Sequence, residues 1–307
     1  MAKLMSKKTK ETVQTVSVLV VAILIIVFYI IYPLIIVPKL TARPDRKKFD
    51  DRNYQPVNDP AAFINAGLSP DTFTVISDDN LRLAGLYFSP GVSPDREKGT
   101  VILLHPDDTD GTAMIQYINP LLDSGLSAVV YDQRASGFSQ GRYRSPGTLE
   151  SDDLTEVMSF LNLRGKLFKP IIVVGFGIGA DAAMNASQSE KRISEVIAVN
   201  PYLTSNRWIA ERKSWFGALT IPFSETVYLW WYQKLSGYPS GWSDPKKLPP
   251  ISVKTVLLAD QKSLNSEEIK HLKEISSGEL LDLQPMPDSQ EMIRQKILEL
   301  IYRERGL

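Results

Sequence analysis

Cysteine is absent from this 307-residue chain, and histidine occurs only twice, at His105 and His271. Without thiols there can be no disulfide, no Fe–S cluster, no cysteine nucleophile and no thiolate zinc site. Two histidines exclude a His-rich metal centre. Net charge is lacking as well, with 35 Lys plus Arg against 35 Asp plus Glu. Nucleic-acid-binding domains carry a basic footprint, so no nucleic-acid partner is expected. The charge is uneven, however: residues 1–52 hold ten Lys/Arg and four Asp/Glu, +6, which leaves −6 for the rest. Hydrophobic residues at 43% and charged residues at 23% lie close to globular usage and exclude disorder as the main description.

What is present first is a long apolar run. Val16–Val37, VSVLVVAILIIVFYIIYPLIIV, is 22 residues without a charge. As a helix it rises about 33 Å, enough for the hydrocarbon core of a bilayer. Its 17 Val, Ile, Leu and Phe residues favour insertion by about 5–10 kcal/mol as an upper figure. A cleaved signal peptide has an apolar region of about 7–15 residues and a small-residue cleavage site. This run is longer, and Leu40-Thr41-Ala42 is a poor site. The expectation is a basic tail over 1–15, an uncleaved transmembrane helix over 16–37 kinked in its last turn at Pro33, and a single-pass cell-membrane protein. Six Lys/Arg follow the span and four precede it, which favours a cytoplasmic body. The absence of cysteine suits an oxidising exterior. These cues point opposite ways, with a lean to the extracytoplasmic side.

Residues 38–70, rich in Pro, Asp, Asn and Arg, read as a linker lifting the body off the bilayer. From 71 to 307 a strand–helix rhythm sets in. Short β-branched runs at 72–77, 81–88, 101–105, 128–132, 171–175, 195–199, 253–259 and 280–283 predict eight strands. Helical stretches at 111–124, 149–164, 179–190, 265–276 and 288–304 fall between them. Continuous apolar runs suit strands buried on both faces, so the fold class is α/β, a mostly parallel sheet with helices on both faces. A segment over about 202–250 interrupts the rhythm between the sixth and seventh strand runs. It holds all five tryptophans, Trp208, Trp215, Trp230, Trp231 and Trp242.

Four motifs carry a resemblance. AGLSPDTFTVISDDNLRLAGLYFSP reads as an opening hairpin, and VILLHP ends a strand at His105-Pro106. Residues 131–141, YDQRASGFSQG, are close to the D-x-R-G-x-G-x-S-x-G pattern. Gly175-Phe176-Gly177-Ile178-Gly179 lies between a strand and a helix, in the place of the G-x-S-x-G nucleophile elbow. Over about residues 65–305 the chain resembles the α/β-hydrolase family of serine esterases and peptidases, and the resemblance makes about 202–250 the cap insertion. The resemblance implies a nucleophile at Gly177, where glycine has nothing to attack with. It implies an acid at Ser263 or Lys262, with Asp260 one register away. It implies a histidine after the last strand, where Leu283–Asp288 has none. His105 would shape its own loop, and His271 would be a surface or packing residue. The oxyanion hole is compromised on the same reading. Pro106 has no N–H, and Asp107, Asp108 and Asp110 would repel a developing oxyanion. A dinucleotide reading of 175–180 fails because its third glycine is out of place.

Asp107, Asp108 and Asp110 are the weak candidates for a hard-cation site, set against ordinary turn and capping roles. Asp132 and Arg134 are expected to pair or to bond nearby backbone. The tryptophans pack the cap onto the sheet or form a surface for a partner or the membrane interface. No cofactor and no metal are expected. The elbow Gly175, Gly177 and Gly179 is vestigial on this reading. The expected function is that of a membrane-anchored, non-catalytic hydrolase-like protein that binds a partner or scaffolds a membrane assembly, with the bilayer and other membrane proteins as partners. A small-molecule sensor using the old pocket is a variant of it. The alternative is a serine-type ester or peptide hydrolase with displaced catalytic residues, at Ser136 or Ser139.

Overall fold

The apolar run folds as one long helix in three pieces. The computed structural model describes residues 7–41, 60–107, 109–216, 225–238, 250–260, 264, 266–276 and 280–303. It places α1 over Lys7–Ile26, a π-helical turn over Val27–Ile31 and α2 over Tyr32–Thr41. Pro33 accounts for the join. It has no N–H for the carbonyl four residues back, and its ring crowds that carbonyl. The preceding turn therefore widens, and Tyr32 N–H bonds to Val27 O across five residues. The distortion falls one turn earlier than the last-turn kink expected at Pro33. Residues 16–31 are all exposed, and Lys10–Lys39 is long and apolar enough to cross a membrane.

The segment expected as a linker, 38–70, is ordered at both ends. Helix α2 continues to Thr41, and α3 covers Ala61–Asn65, with Phe63 and Leu68 buried in the core. Residues 42–59 lie outside the described residues.

Strands β1 (Asp71–Ile76) and β2 (Arg82–Phe88) form a hairpin, followed by β3 (Thr100–Leu104), α4 (Ile115–Asp123) and β4 (Ser127–Tyr131). Then come α5 (Leu149–Leu163), β5 (Ile171–Phe176), α6 (Ile178–Ser189) and β6 (Ile193–Val199). Helices α7 (Ser205–Phe216) and α8 (Glu225–Ser236) make the described part of the cap. The chain returns through β7 (Lys254–Ala259), α9 (Ser266–Ile275), β8 (Leu281–Pro285) and α10 (Gln290–Arg303). Every strand starts and ends within two residues of an expected run.

The eight strands form one sheet in the order β1-β2-β4-β3-β5-β6-β7-β8. The two hairpin-side pairings are antiparallel and the other five parallel. Alternate residues of each central strand serve opposite cores. On β3, Val101 and Leu103 pack with α3, α4 and α10, while Ile102 and Leu104 pack with α5 and α6. Both faces are dry, so the strand sequences show unbroken apolar runs in place of polar alternation.

A third core joins the cap to the N-terminal helix. Ile36 and Val37 of α2 are buried with Tyr143, Ile178, Tyr202, Trp208, Tyr228, Leu229 and Tyr232. Arg144 N–H donates to Thr41 O at 3.3 Å, and Tyr232 Oη donates to Arg144 O at 2.6 Å. The cap is thus held between the sheet and the end of the apolar helix.

Candidate functional site at the strand–helix elbow

Gly177 is the single residue between β5 and α6. Its φ of 53° and ψ of −119° lie where a residue with a Cβ enters only under strain. Gly175 and Gly179 answer a different need. A Cβ at 175 would stand 2.2 Å from Gly179 O, and one at 179 would stand 2.8 Å from Leu104 Cβ. The turn is therefore glycine at 177 for its dihedrals and at 175 and 179 for close backbone approach.

A side chain at 177 would point at Asp107. The position of its Cβ lies 3.3 Å from Asp107 Oδ2, 3.6 Å from the Tyr202 ring and 3.9 Å from Asp107 N. A cavity of about 320 Å³ lies beside this point, with Asp107, Tyr117, Phe176, Asn200, Tyr202 and Met286 among its walls. That volume is at the lower end for small-molecule sites.

Asp107 leaves β3 through Pro106 and is anchored by the cap. Its Oδ1 accepts from Arg212 Nη2 at 2.9 Å and from Trp208 Nε1 at 3.3 Å. The carboxylate and the guanidinium are only 4% and 3% exposed. Burial opposes ionisation of Asp107, but the charges of Arg212 and Arg144 outweigh it and hold the carboxyl below the usual range. Oδ2 makes no regular hydrogen bond, although the nearby Tyr202 hydroxyl interacts with the carboxylate. Asn200, at φ 48° after β6, donates its N–H to Leu258 O at 2.7 Å, and its side-chain oxygen is buried and unbonded. The described walls thus bring one carboxylate and three amide side chains, Gln116, Asn200 and Gln290, among aromatic and aliphatic ones.

The solved structures that resemble this chain share its layout. The esterase Pf2001 of Pyrococcus furiosus is 21% identical, with a TM-score of 0.60 over 86% of this chain and 98% of that one. The α/β hydrolase GrgF of Penicillium sp. sh18 is 17% identical, with a TM-score of 0.56 over 78% of this chain and all of that one. The fold is that of the α/β hydrolases. No family model matches the chain. Among curated proteins it is similar to the thiohydrolase apmlB of Arthrinium phaeospermum, 30% identical over 128 residues, 40% of each chain. It is also similar to the uncharacterised protein YqkD of Bacillus subtilis, 29% identical over 112 residues, 36% of this chain and 35% of that one. The matches thus span well under half of either curated relative.

In the hydrolase fold a serine at 177 would need a histidine after β8. Met286, Gln290 and Ile293 line the cavity there. His105 is buried beneath the site, its Nε2 accepting from Gln133 N–H at 3.0 Å and its Nδ1 facing Pro106 O at 2.9 Å. Burial lowers its pKa, so it serves as a neutral brace of its loop. His271 lies on α9 with Nδ1 3.8 Å from Glu274. Asp260 directly follows β7, and the candidates Lys262 and Ser263 lie outside the described residues.

Ser136 and Ser139 do not face the cavity. Ser139 Oγ accepts from Ala84 N–H at 2.9 Å and donates to Asp132 O. Ser136 Oγ accepts from Arg144 Nη2 at 3.1 Å. Both are buried. Asp132 and Arg134 do not pair. Asp132 accepts from the Gly111 and Phe138 N–H groups, each at 2.7 Å. Arg134 binds Asp153 through Nε at 2.7 Å and Nη2 at 2.6 Å, and Asp79 through Nη1 at 2.9 Å. The reason is geometric: α5 brings Asp153 beneath the loop.

The aspartates considered for a cation are divided. Asp107 is taken by the cap, whereas Asp110 accepts from Thr112 N–H at 2.9 Å and caps the 3₁₀ turn that leads into α4. Asp108 lies outside the described residues. Among the described residues no three metal-binding side chains gather.

The tryptophans separate likewise. Trp208 is fully buried against Asp107 and Tyr232 and offers no partner surface, because its indole N–H needs a buried acceptor. Trp231 is half-buried on the cap core, and Trp230 is 51% exposed. Trp242 and the Trp215 side chain lie outside the described residues. Sequence reasoning missed Arg212, Tyr202 and Asn200. Only Asn200 carried a local signal, since asparagine tolerates positive φ.

Proposed function

We propose that this protein is tethered to a membrane by Lys10–Lys39 and that its hydrolase-fold body binds a small ligand beside the elbow without serine chemistry. The observation that carries this reading is the Asp107 carboxylate, 3.3 Å from the point where a nucleophile's Cβ would stand. A substrate oxyanion there would meet a like charge. Two unit charges 4 Å apart repel by about 4 kcal/mol at an effective dielectric of 20, a loss of about three decades in rate before Arg212 is counted. The unbonded acceptor Asn200 Oδ1, with the Asp107 carboxylate on the same wall, suits a ligand that donates hydrogen bonds, and Tyr117, Phe176 and Tyr202 suit its apolar part.

Hydrolysis is the second reading. The esterases and the thiohydrolase found by comparison favour it over a scaffold role. Its displaced-serine form is opposed by the burial of Ser136 and Ser139. Asp107, the carboxylate among the cavity's described walls, is then the residue on which turnover would depend.

One experiment separates the readings. Full-length protein in detergent is assayed with short and long acyl esters and thioesters and with a fluorophosphonate probe. Non-cleavable acyl amides, which donate an N–H, are titrated by thermal shift. Binding predicts no labelling, no turnover and a Tm rise of about 5 °C or more at 100-fold Kd. Turnover abolished by Asp107→Asn establishes hydrolysis and overturns the binding-only reading. Neither turnover nor a shift overturns both.

A further inference from the structure

We propose that the cap is seated in the headgroup region of the bilayer crossed by α1, with the exposed Trp230–Lys234 face of α8 as its contact with lipid. This rests on the reading of Lys10–Lys39 as a membrane span.

The first observation is a length. The fully exposed part of the apolar run, residues 16–31, is 16 residues long and rises about 24 Å. The hydrocarbon core is about 30 Å thick. The missing 6 Å or so corresponds to about four residues, the first turn of α2. That turn is divided between two surroundings. Leu34 and Ile35 are 42% and 52% exposed, whereas Pro33 is buried and Tyr32 packs against the cap core. With the span beginning at Val16, that turn lies at membrane depth while already in contact with the cap.

The second observation is rigidity. Ile36, Val37 and Thr41 are buried against the cap, and Arg144 is bonded to Thr41 O. No free tether separates the end of the apolar helix from the cap. Once the helix is inserted, the cap cannot stand off from the surface.

The third observation is the composition of the outer face of α8. Trp230 is half exposed, its ring centroid 5.0 Å from that of Trp231 in an edge-on arrangement, and Lys234 Nζ lies 5.8 Å from the centre of its ring. Tryptophan favours the headgroup level, and lysine there reaches toward phosphate while its stem stays on apolar surface. Residues 230 and 234 are one turn apart and share a face.

The absence of cysteine makes the test direct. Single cysteines are introduced as Trp230→Cys, Val21→Cys in α1 and Leu163→Cys at the exposed end of α5. Each full-length protein is labelled with an environment-sensitive fluorophore in phosphatidylcholine/phosphatidylglycerol nanodiscs. Lipids carrying nitroxide at the headgroup or deep in the acyl chain then act as quenchers. The expected result is deep quenching at 21, headgroup quenching at 230 at least about twofold above that at 163, and none above background at 163. Deep quenching at 21 with no excess at 230 overturns the interfacial cap and leaves the anchor standing. No quenching at 21 overturns the anchor and this proposal with it. A label at 230 shielded from aqueous iodide but unquenched by either lipid also overturns it, in favour of a protein covering that face.

Discussion

Residue 177 shows how little space and how much strain a single position can hold. A Cβ there would be tight, 3.3 Å from Asp107 Oδ2, and the positive φ makes any side chain costly. Gly177→Ser is expected to lower stability by about 1–3 kcal/mol, measured by urea unfolding of detergent-solubilised protein. It should not create fluorophosphonate labelling. Triad members act as a unit, and a serine without a base lacks most of the rate. Labelling of Gly177→Ser alone would show that some other group deprotonates it, and Asp107 would be the first to examine.

At the scale of elements, α2 belongs to the body as much as to the apolar helix. Val37 is fully buried in the core shared by α2, α7 and α8. Val37→Ala removes two methyl-sized groups, about 1.5 kcal/mol at the usual cost per buried carbon. The loss should fall on the cap, so limited proteolysis should cut the cap faster than in the parent, while the sheet stays resistant. Equal protection of both proteins would mean that the α2–cap contact contributes nothing to the cap's stability.

For the whole molecule, buried carboxyls set the pH response. Burial raises Asp181 to about 8, Glu150 to about 7 and Asp153 to about 6. Their unfolded values are near 4. Between about pH 4 and 8 the folded chain therefore holds protons that the unfolded chain has released, and stability falls as pH rises. Carboxyls shifted the other way act at the acid end. For Asp79, burial opposes ionisation, but the Ser77 hydrogen bond and the Arg134 ion pair prevail. For Glu190, the Arg192 bonds dominate. Their stabilisation is present above pH 4 or so and is lost as pH falls through their lowered values. The Tm is expected to be higher at pH 5 than at pH 8.5. Asp181→Asn keeps an acceptor for only one of the Tyr202 and Leu203 N–H groups, which bind different oxygens of Asp181 at 3.1 and 2.8 Å, so the Tm should fall at every pH. The substitution should flatten that slope, and an unchanged slope would remove Asp181 as its source.

The sequence alone determined the elements, the doubly covered sheet, the apolar helix and the missing serine and C-terminal histidine. These are legible because hydrophobic period, β-branching and glycine tolerance act over a few residues at a time. Gly175, Gly177 and Gly179 marked the elbow for the same reason. The tertiary structure decided what fills it. Asp107 and Arg212 are 105 positions apart, and nothing local to either states that they meet. The aspartates after His105 looked like one cluster, yet backbone direction sends Asp107 to the cap and Asp110 to its own turn. Trp208 and Trp230 are alike in sequence and opposite in exposure. Whether a ring is core or surface depends on what packs against its helix, and here that is α2, joined to the cap from nearly two hundred residues away.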